Sequence, residues 1–203
     1  MDRLKEEKIV ETKFALNTKL SLIGKFRQEN SNAALTCAEI LKLDHQKAKQ
    51  SIENFKGLSR RLEFKGKIKG VNFYDDYAVQ PYTILKTTNA LLDEYPQSKI
   101  TLVLEPHTFS RVNKFFKEFV EAIKNTNIER VIICNTFPAR EFGNSEKVSK
   151  QLVKSVGDKS IFTGTIEQTA KYIKTNIKSL DIVCSMGAGN AYKLFNLIKN
   201  GQK

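Results

Sequence analysis

Residues 130–199 read RVIICNTFPAREFGNSEKVSKQLVKSVGDKSIFTGTIEQTAKYIKTNIKSLDIVCSMGAGNAYKLFNLIK. Short apolar runs alternate here with amphipathic stretches. RVIICN (130–135) precedes SEKVSKQLVKSV (145–156), SIFTG (160–164) precedes IEQTAKYIKTNI (166–177), and DIVCSM (181–186) precedes NAYKLFNLIK (190–199). Each apolar run is strand length, and each following stretch carries apolar residues at helical spacing. Strands separated by helices imply βαβ units with right-handed crossovers. They form a mostly parallel sheet covered by helices on both faces, because such strands must be buried on both sides.

The same grammar extends upstream. ITLVLE (100–105) reads as a strand and RVNKFFKEFVEAIK (111–124) as a helix. Before them, RRLEFKGKIKGVNFYDD (60–76) reads as a hairpin of two short strands around Gly66 to Gly70. The expected architecture is α/β and Rossmann-like over residues 55–203. A partial α/β segment, residues 1–54, precedes it. In that segment ETKFALNTKLSLI (11–23) alternates like a half-buried strand pair ending at Gly24. NSNAALTCAEILKL (30–43) sets Ala33, Ala34, Cys37, Ile40 and Leu41 at helical spacing, with Asn30 or Ser31 as N-cap. Asp44 is placed to cap a second helix, HQKAKQSIENF. One strand pair and two helices make a poor domain, so residues 1–54 read as part of something larger, with the boundary near 54–58.

At 203 residues the chain is long enough to bury a core without metal or disulfide. No stretch approaches the ~20 apolar residues of a membrane helix, and the first residues lack the apolar centre of a signal peptide. Cys37, Cys134 and Cys184 have no metal-ligand spacing, so they read as reduced, buried thiols of a cytoplasmic protein. The net charge of +12 is uneven: residues 56–74 hold 6 basic and 1 acidic side chains, against 10 and 8 in residues 1–55. This basic hairpin, 56–69 at its densest, admits three readings: a solvated lysine-rich face, a contact to the phosphates of a nucleotide, or a nucleic-acid track. No zinc finger or RNA-recognition signature supports the last.

In open α/β sheets ligands bind beyond the carboxyl ends of the strands. Four loops qualify. Tyr74-Asp75-Asp76-Tyr77 offers acids for a ribose hydroxyl and an aromatic face, or an N-cap for the helix after Pro81. Glu105-Pro106-His107-Thr108-Phe109-Ser110-Arg111 offers an imidazole and a guanidinium suited to a carboxylate or phosphate. Asn135 to Glu141 is the third. Gly187-Ala188-Gly189-Asn190 is a glycine turn short of the full dinucleotide fingerprint. There is no P-loop, no G-x-S-x-G and no H-E-x-x-H.

Taken in order, these segments resemble the Mur ligases. Phe55-Lys56-Gly57-Leu58-Ser59-Arg60-Arg61-Leu62-Glu63 is similar to their F-x-G-x-x-R-R-x-E. Asp75-Asp76-Tyr77-Ala78 with Pro81 is similar to D-D-Y-[AG]-H-H-P. Glu105-Pro106-His107 with Ser110-Arg111 is similar to Q-P-H-x-[FY]-[ST]-R. Phe137-Pro138-Ala139-Arg140-Glu141 is similar to Y-P-A-R-E, and Gly187-Ala188-Gly189-Asn190 to G-A-G-[DN]. The resemblance is nearest to the muramate–alanine branch. It makes residues 55–203 a C-terminal domain and residues 1–54 a remnant of the central domain.

The resemblance implies a reaction. ATP with Mg2+ phosphorylates the carboxylate of a UDP-N-acetylmuramoyl substrate, and the amine of an amino acid displaces the phosphate, in peptidoglycan precursor synthesis. It implies nucleotide contacts at Arg61, Asp75, Asp76 and Tyr77, and amino-acid contacts at His107 and Arg111. Closure of the C-terminal domain would exclude water from the acyl phosphate. The departures are Val79 and Gln80 in place of two His, Thr108 in place of an Arg, and Gln28-Glu29 in place of an H-N pair. The P-loop half and the N-terminal domain are absent from the chain, so no catalytic residue and no metal site is expected in isolation, and ATP and Mg2+ are not expected to be fully held. A separate chain carrying the P-loop half is the expected partner. The alternatives are a non-catalytic nucleotide- or precursor-binding module, a truncated remnant, and a nucleic-acid binder through residues 56–69.

Overall fold

The computed structural model describes residues 20–200. It divides into two compact units, Met1–Lys56 and Gly57–Lys203. Nearly all of the strand pair expected over 11–23 lies outside the described residues.

In the first unit, α1 (Lys25–Ile40) is capped at Gly24, nearly two turns before the expected Asn30 or Ser31. Its buried residues are Ser31, Leu35, Thr36 and Ala38. Of the residues read at helical spacing, Ala33, Ala34 and Cys37 are exposed, and Ile40 and Leu41 are 59% and 68% exposed. Cys37 is therefore not a buried thiol, unlike Cys134 and Cys184. Ser31 and Thr36 tolerate burial because their hydroxyls donate back to the helix, to Arg27 O at 2.9 Å and Asn32 O at 2.9 Å. Asp44 caps α2 (His45–Glu53) as its position predicts, accepting from Lys47 N at 2.9 Å.

The second unit holds six strands. They are β1 (Glu63–Ile68), β2 (Val71–Asp76), β3 (Ile100–Leu104), β4 (Arg130–Cys134), β5 (Ser160–Gly164) and β6 (Ile182–Met186). Their order is β1-β2-β6-β3-β4-β5. β1 pairs antiparallel with β2, and all other pairings are parallel. The hairpin turns at Lys69-Gly70, while Gly66 sits within β1 at a bulge against the Phe195 ring. The remaining helices are α3 (Pro81–Glu94), α4 (Phe109–Lys114), α5 (Phe116–Lys124), α6 (Ser145–Val156), α7 (Ile166–Asn176) and α8 (Leu194–Asn200). The single helix expected over 111–124 is two, broken at Phe115. The stretch from Asn190 opens with a 3-10 turn, Ala191–Lys193, before α8.

The helices cover both faces. Phe73, Val103, Ile132 and Val183 pack with Ile173 of α7 and Ile198 of α8 on one side. Neighbouring strand positions such as Leu102 and Leu104 point the other way, toward the side where α3, α5 and α6 lie against one another. All of β3 and β6 is buried. Among the described residues no helix is long and apolar enough to cross a membrane.

Candidate functional site

The parallel strands β2, β6 and β3 end side by side, and the buried acids of this unit, Asp75, Asp76 and Glu105, lie at the carboxyl ends of β2 and β3. β2 ends in Asp75 and Asp76, 1% and 7% exposed. These acids do not cap α3; Gln80 and Thr83 form its capping box. Asp75 accepts from Arg60 Nε at 3.0 Å and from Ser185 Oγ at 2.9 Å. Asp76 accepts from Thr87 Oγ1 at 2.6 Å and from the Leu62 backbone N–H. Burial raises the pKa of both carboxyls, against the lowering effect of these donors. Two donors leave an ionised carboxylate with unused acceptor positions, so Asp76 can still take a hydroxyl.

Arg60 organises this corner, and motif reasoning missed it in favour of Arg61. Its Nη2 donates to Gly187 O at 2.5 Å, and its guanidinium lies 4.9 Å from the ring centres of both Tyr77 and Tyr192. Its own carbonyl accepts from Tyr77 N at 2.7 Å. Arg61 is exposed, 5.4 Å from the Tyr77 ring on which it stacks. Cations thus bracket a tyrosine that is 39% exposed, an arrangement able to take a base or ribose beside positive charge. The pairing of Arg60 with Asp75, and of Lys65 with Glu63 at 2.9 Å, uses part of the hairpin's positive charge inside the fold. No signal at position 60 itself separates Arg60 from Arg61; its left-handed φ of 58°, which turns it inward, is set by the tertiary fold.

β3 leads into Glu105 and His107. The His107 ring stacks on Phe137 at 5.5 Å, joining the second loop to the third. Arg111 Nη1 donates to His107 Nδ1 at 3.3 Å and to His107 O at 3.2 Å. Since a guanidinium only donates, Nδ1 is the acceptor and the ring proton sits on Nε2. Burial first, and Arg111 second, lower the His107 pKa, so the imidazole is neutral at pH 7. Nε2–H and the remaining Arg111 N–H groups are donors suited to a carboxylate. Glu141 accepts from Ser110 N at 3.0 Å and from Ser110 Oγ, pinning the third loop to the start of α4. At the end of β4, Asn135 Oδ1 is buried with no hydrogen-bond partner.

The sequence-derived residues thus fall into two groups on one edge: Arg61, Asp75, Asp76 and Tyr77 beyond β2, and His107 and Arg111 beyond β3. Among the described residues no group of three or more His, Cys, Asp or Glu converges to hold a metal ion. The corner at Tyr77 offers an exposed aromatic face beside two guanidiniums and the Asp76 carboxylate, a set of groups suited to a nucleoside.

Residues 60–189 match the family described as Mur ligase, glutamate ligase domain. The chain is 35% identical over 185 residues to the UDP-N-acetylmuramate–L-alanine ligase of Caldanaerobacter subterraneus, covering 90% of this chain and 40% of that protein. It is 33% identical over 178 residues to the enzyme of the same name from Lachnospira eligens, covering 86% and 38%. Among solved structures, the UDP-N-acetylmuramate–alanine ligase of Thermotoga maritima superposes with a TM-score of 0.70 at 21% identity, over 90% of this chain and 39% of that one. A murein peptide ligase of Psychrobacter arcticus superposes at 0.64 and 17%, over 92% and 40%. The chain spans about 40% of the length of these relatives.

Proposed function

Because residues 60–189 match its glutamate ligase domain, this chain belongs to the Mur ligase family, and from that premise we propose that it supplies the C-terminal share of a muramate–alanine-type ligation site. In this reading Arg61 and Tyr77 receive the nucleotide, and Asp76 accepts a ribose hydroxyl. Asp75 holds Arg60 so that Tyr77 stays in place. His107 and Arg111 take the carboxylate of the incoming amino acid through Nε2–H and the free guanidinium edge. ATP, bound mainly elsewhere, supplies the phosphoryl group that activates the muramoyl carboxylate. The amine then forms the C–N bond as the C–O bond to phosphate breaks. No step of phosphoryl transfer is assigned to this chain, which lacks a P-loop.

The observation that carries the proposal is the placement of both groups of residues on one carboxyl edge, beyond strands separated only by β6. The P-loop half of such a ligase, on this polypeptide or on another, is the proposed partner of these residues. The uncovered apolar face of α1, with Ile40, Leu41 and nearby Leu43 all more than half exposed, supports it. Nothing specific favours the nucleic-acid reading.

Calorimetry with ATP, ADP and UDP-N-acetylmuramate, each with magnesium, tests the proposal. ADP binding is expected, weakened about 10- to 100-fold in Asp76→Asn, the range for losing one hydrogen bond to a charged acceptor. Equal affinity in wild type, Asp76→Asn and Arg61→Ala, or no nucleotide binding by wild type, would refute the nucleotide role.

A further inference from the structure

We infer that Glu105 is a positioning residue whose side chain closes the Gly187–Asn190 turn and thereby ties the nucleotide group to the amino-acid group. Glu105 stands one residue beyond β3 and is 5% exposed. Its Oε2 accepts from Ala191 N at 3.0 Å, and the carboxylate also takes the N–H groups of Asn190 and Gly189. Three successive backbone N–H groups converging on one anion form a nest. Such a nest commonly holds a ligand phosphate; here the protein's own carboxylate fills it.

The glycines permit this close wrap. A Cβ on Gly189 would lie 2.7 Å from Glu105 Oε2 and 2.3 Å from the Phe137 ring. A Cβ on Gly187 would lie 2.9 Å from both the Cβ and the carbonyl of Glu105. The wrapped turn acts in two directions. Toward β2, it presents Gly187 O to Arg60, whose guanidinium holds Asp75 and separates Tyr77 from Tyr192. Toward β3, it presses Gly189 on Phe137, which stacks on His107, the acceptor for Arg111. Each half of the site is therefore held against the same carboxylate.

What the turn requires is an acceptor at the right reach. A Gln side chain at this position keeps a carbonyl oxygen there; an Ala removes it. The functional meaning of the tie rests on the proposed ligation site, but its physical test needs no ligand, so the two can fail separately. NMR on the full 203-residue chain would follow the Arg60 Nε–H exchange rate and the His107 ring resonances. In Glu105→Ala, Arg60 exchange is expected to rise at least tenfold and the His107 signals to shift, with the core amides of Leu102 and Val103 unchanged. Glu105→Gln is expected to stay within twofold of wild type at Arg60. Glu105→Asp keeps the charge but shortens the reach, and is expected to fold and to behave like Ala; it replaces Ala if that variant is unfolded. The inference is overturned if Arg60 and His107 are unmoved in both short variants. It is equally overturned if Leu102 and Val103 accelerate by the same factor as Arg60, or if Gln fails to restore what Ala loses.

Discussion

Replacing Arg60 with Met tests the electrostatics of the β2 corner. The substitution keeps length and apolar stem but removes the charge facing Asp75, which is 1% exposed. Breaking a fully buried pair by deleting one partner costs about 3–5 kcal/mol. Arg60 keeps 23% of its side chain in solvent, so the low end, about 3 kcal/mol, is expected. For a unit near 150 residues this corresponds to a fall in Tm of roughly 10 °C. The loss should depend on pH with a definite sign. Burial raises the Asp75 pKa in the folded state, and Arg60 is one of the groups opposing that rise. Without Arg60 the folded state holds a proton to still higher pH than the unfolded chain, and stability then falls as pH rises through that window. Urea unfolding at pH 5 and pH 8 should therefore show a larger deficit at pH 8. Asp75→Asn in the Met background should recover about 1–2 kcal/mol, since Ser185 keeps an acceptor and the buried charge is gone. A deficit below about 1 kcal/mol, or one equal at both pH values, would refute the assignment of Arg60 as the charge partner of Asp75.

Two further predictions concern groups with shifted titrations. The His107 pKa lies below its ordinary value, so the unfolded chain takes up its proton first as pH falls, and this site loses stability on going from pH 7 toward 5. Arg111→Ala should move the His107 resonance titration upward and lessen that loss; an unmoved titration would separate the two side chains. Among the cysteines, Cys37 is exposed while burial pushes the Cys134 thiol up to about 12 and Cys184 well above the usual range. Native chain should therefore give one rapid equivalent with a thiol reagent, abolished in Cys37→Ser; two or more would contradict the buried placement.

The alternation of apolar and amphipathic runs made the sheet legible because period and length are local properties. The predicted helix over 145–156 and the strand over 160–164 match α6 and β5 residue for residue. The start of α1 at Gly24 and the exposure of Cys37 were less legible, for an equally physical reason. Periodicity shows that a stripe exists, not which side faces the protein. Ala33, Cys37, Ile40 and Leu41 form the more apolar stripe, yet the buried side carries Ser31 and Thr36, whose hydroxyls are satisfied by their own helix. The break at Phe115 was invisible too, since RVNKFFKEFVEAIK contains no Gly or Pro to signal it.

The site shows the same division between local and tertiary information. Asp75, Asp76, His107 and Arg111 are legible because strand ends are legible and ligands gather there. Arg60 is not, because two adjacent arginines differ only in which one the backbone turns inward, and that depends on acceptors supplied by Asp75 and Gly187, 15 and 127 residues away. Glu105 is hidden in the same way. In the chain it is an acid after a strand, which suggests a ligand contact; in the fold it is consumed by Gly189, Asn190 and Ala191, more than 80 residues later. Within the motifs, Asp75, Arg60 and Glu105 are consumed inside the fold by segments that meet only in the tertiary structure, whereas Asp76 and His107 keep positions able to meet a ligand. Variants of Arg61 or Asp76 should therefore weaken ligand binding with the fold intact, and variants of Arg60 should lower stability and binding together. If an Arg60 variant weakened nucleotide binding with no loss of stability, that division of roles would be wrong, and Arg60 would itself belong among the ligand contacts.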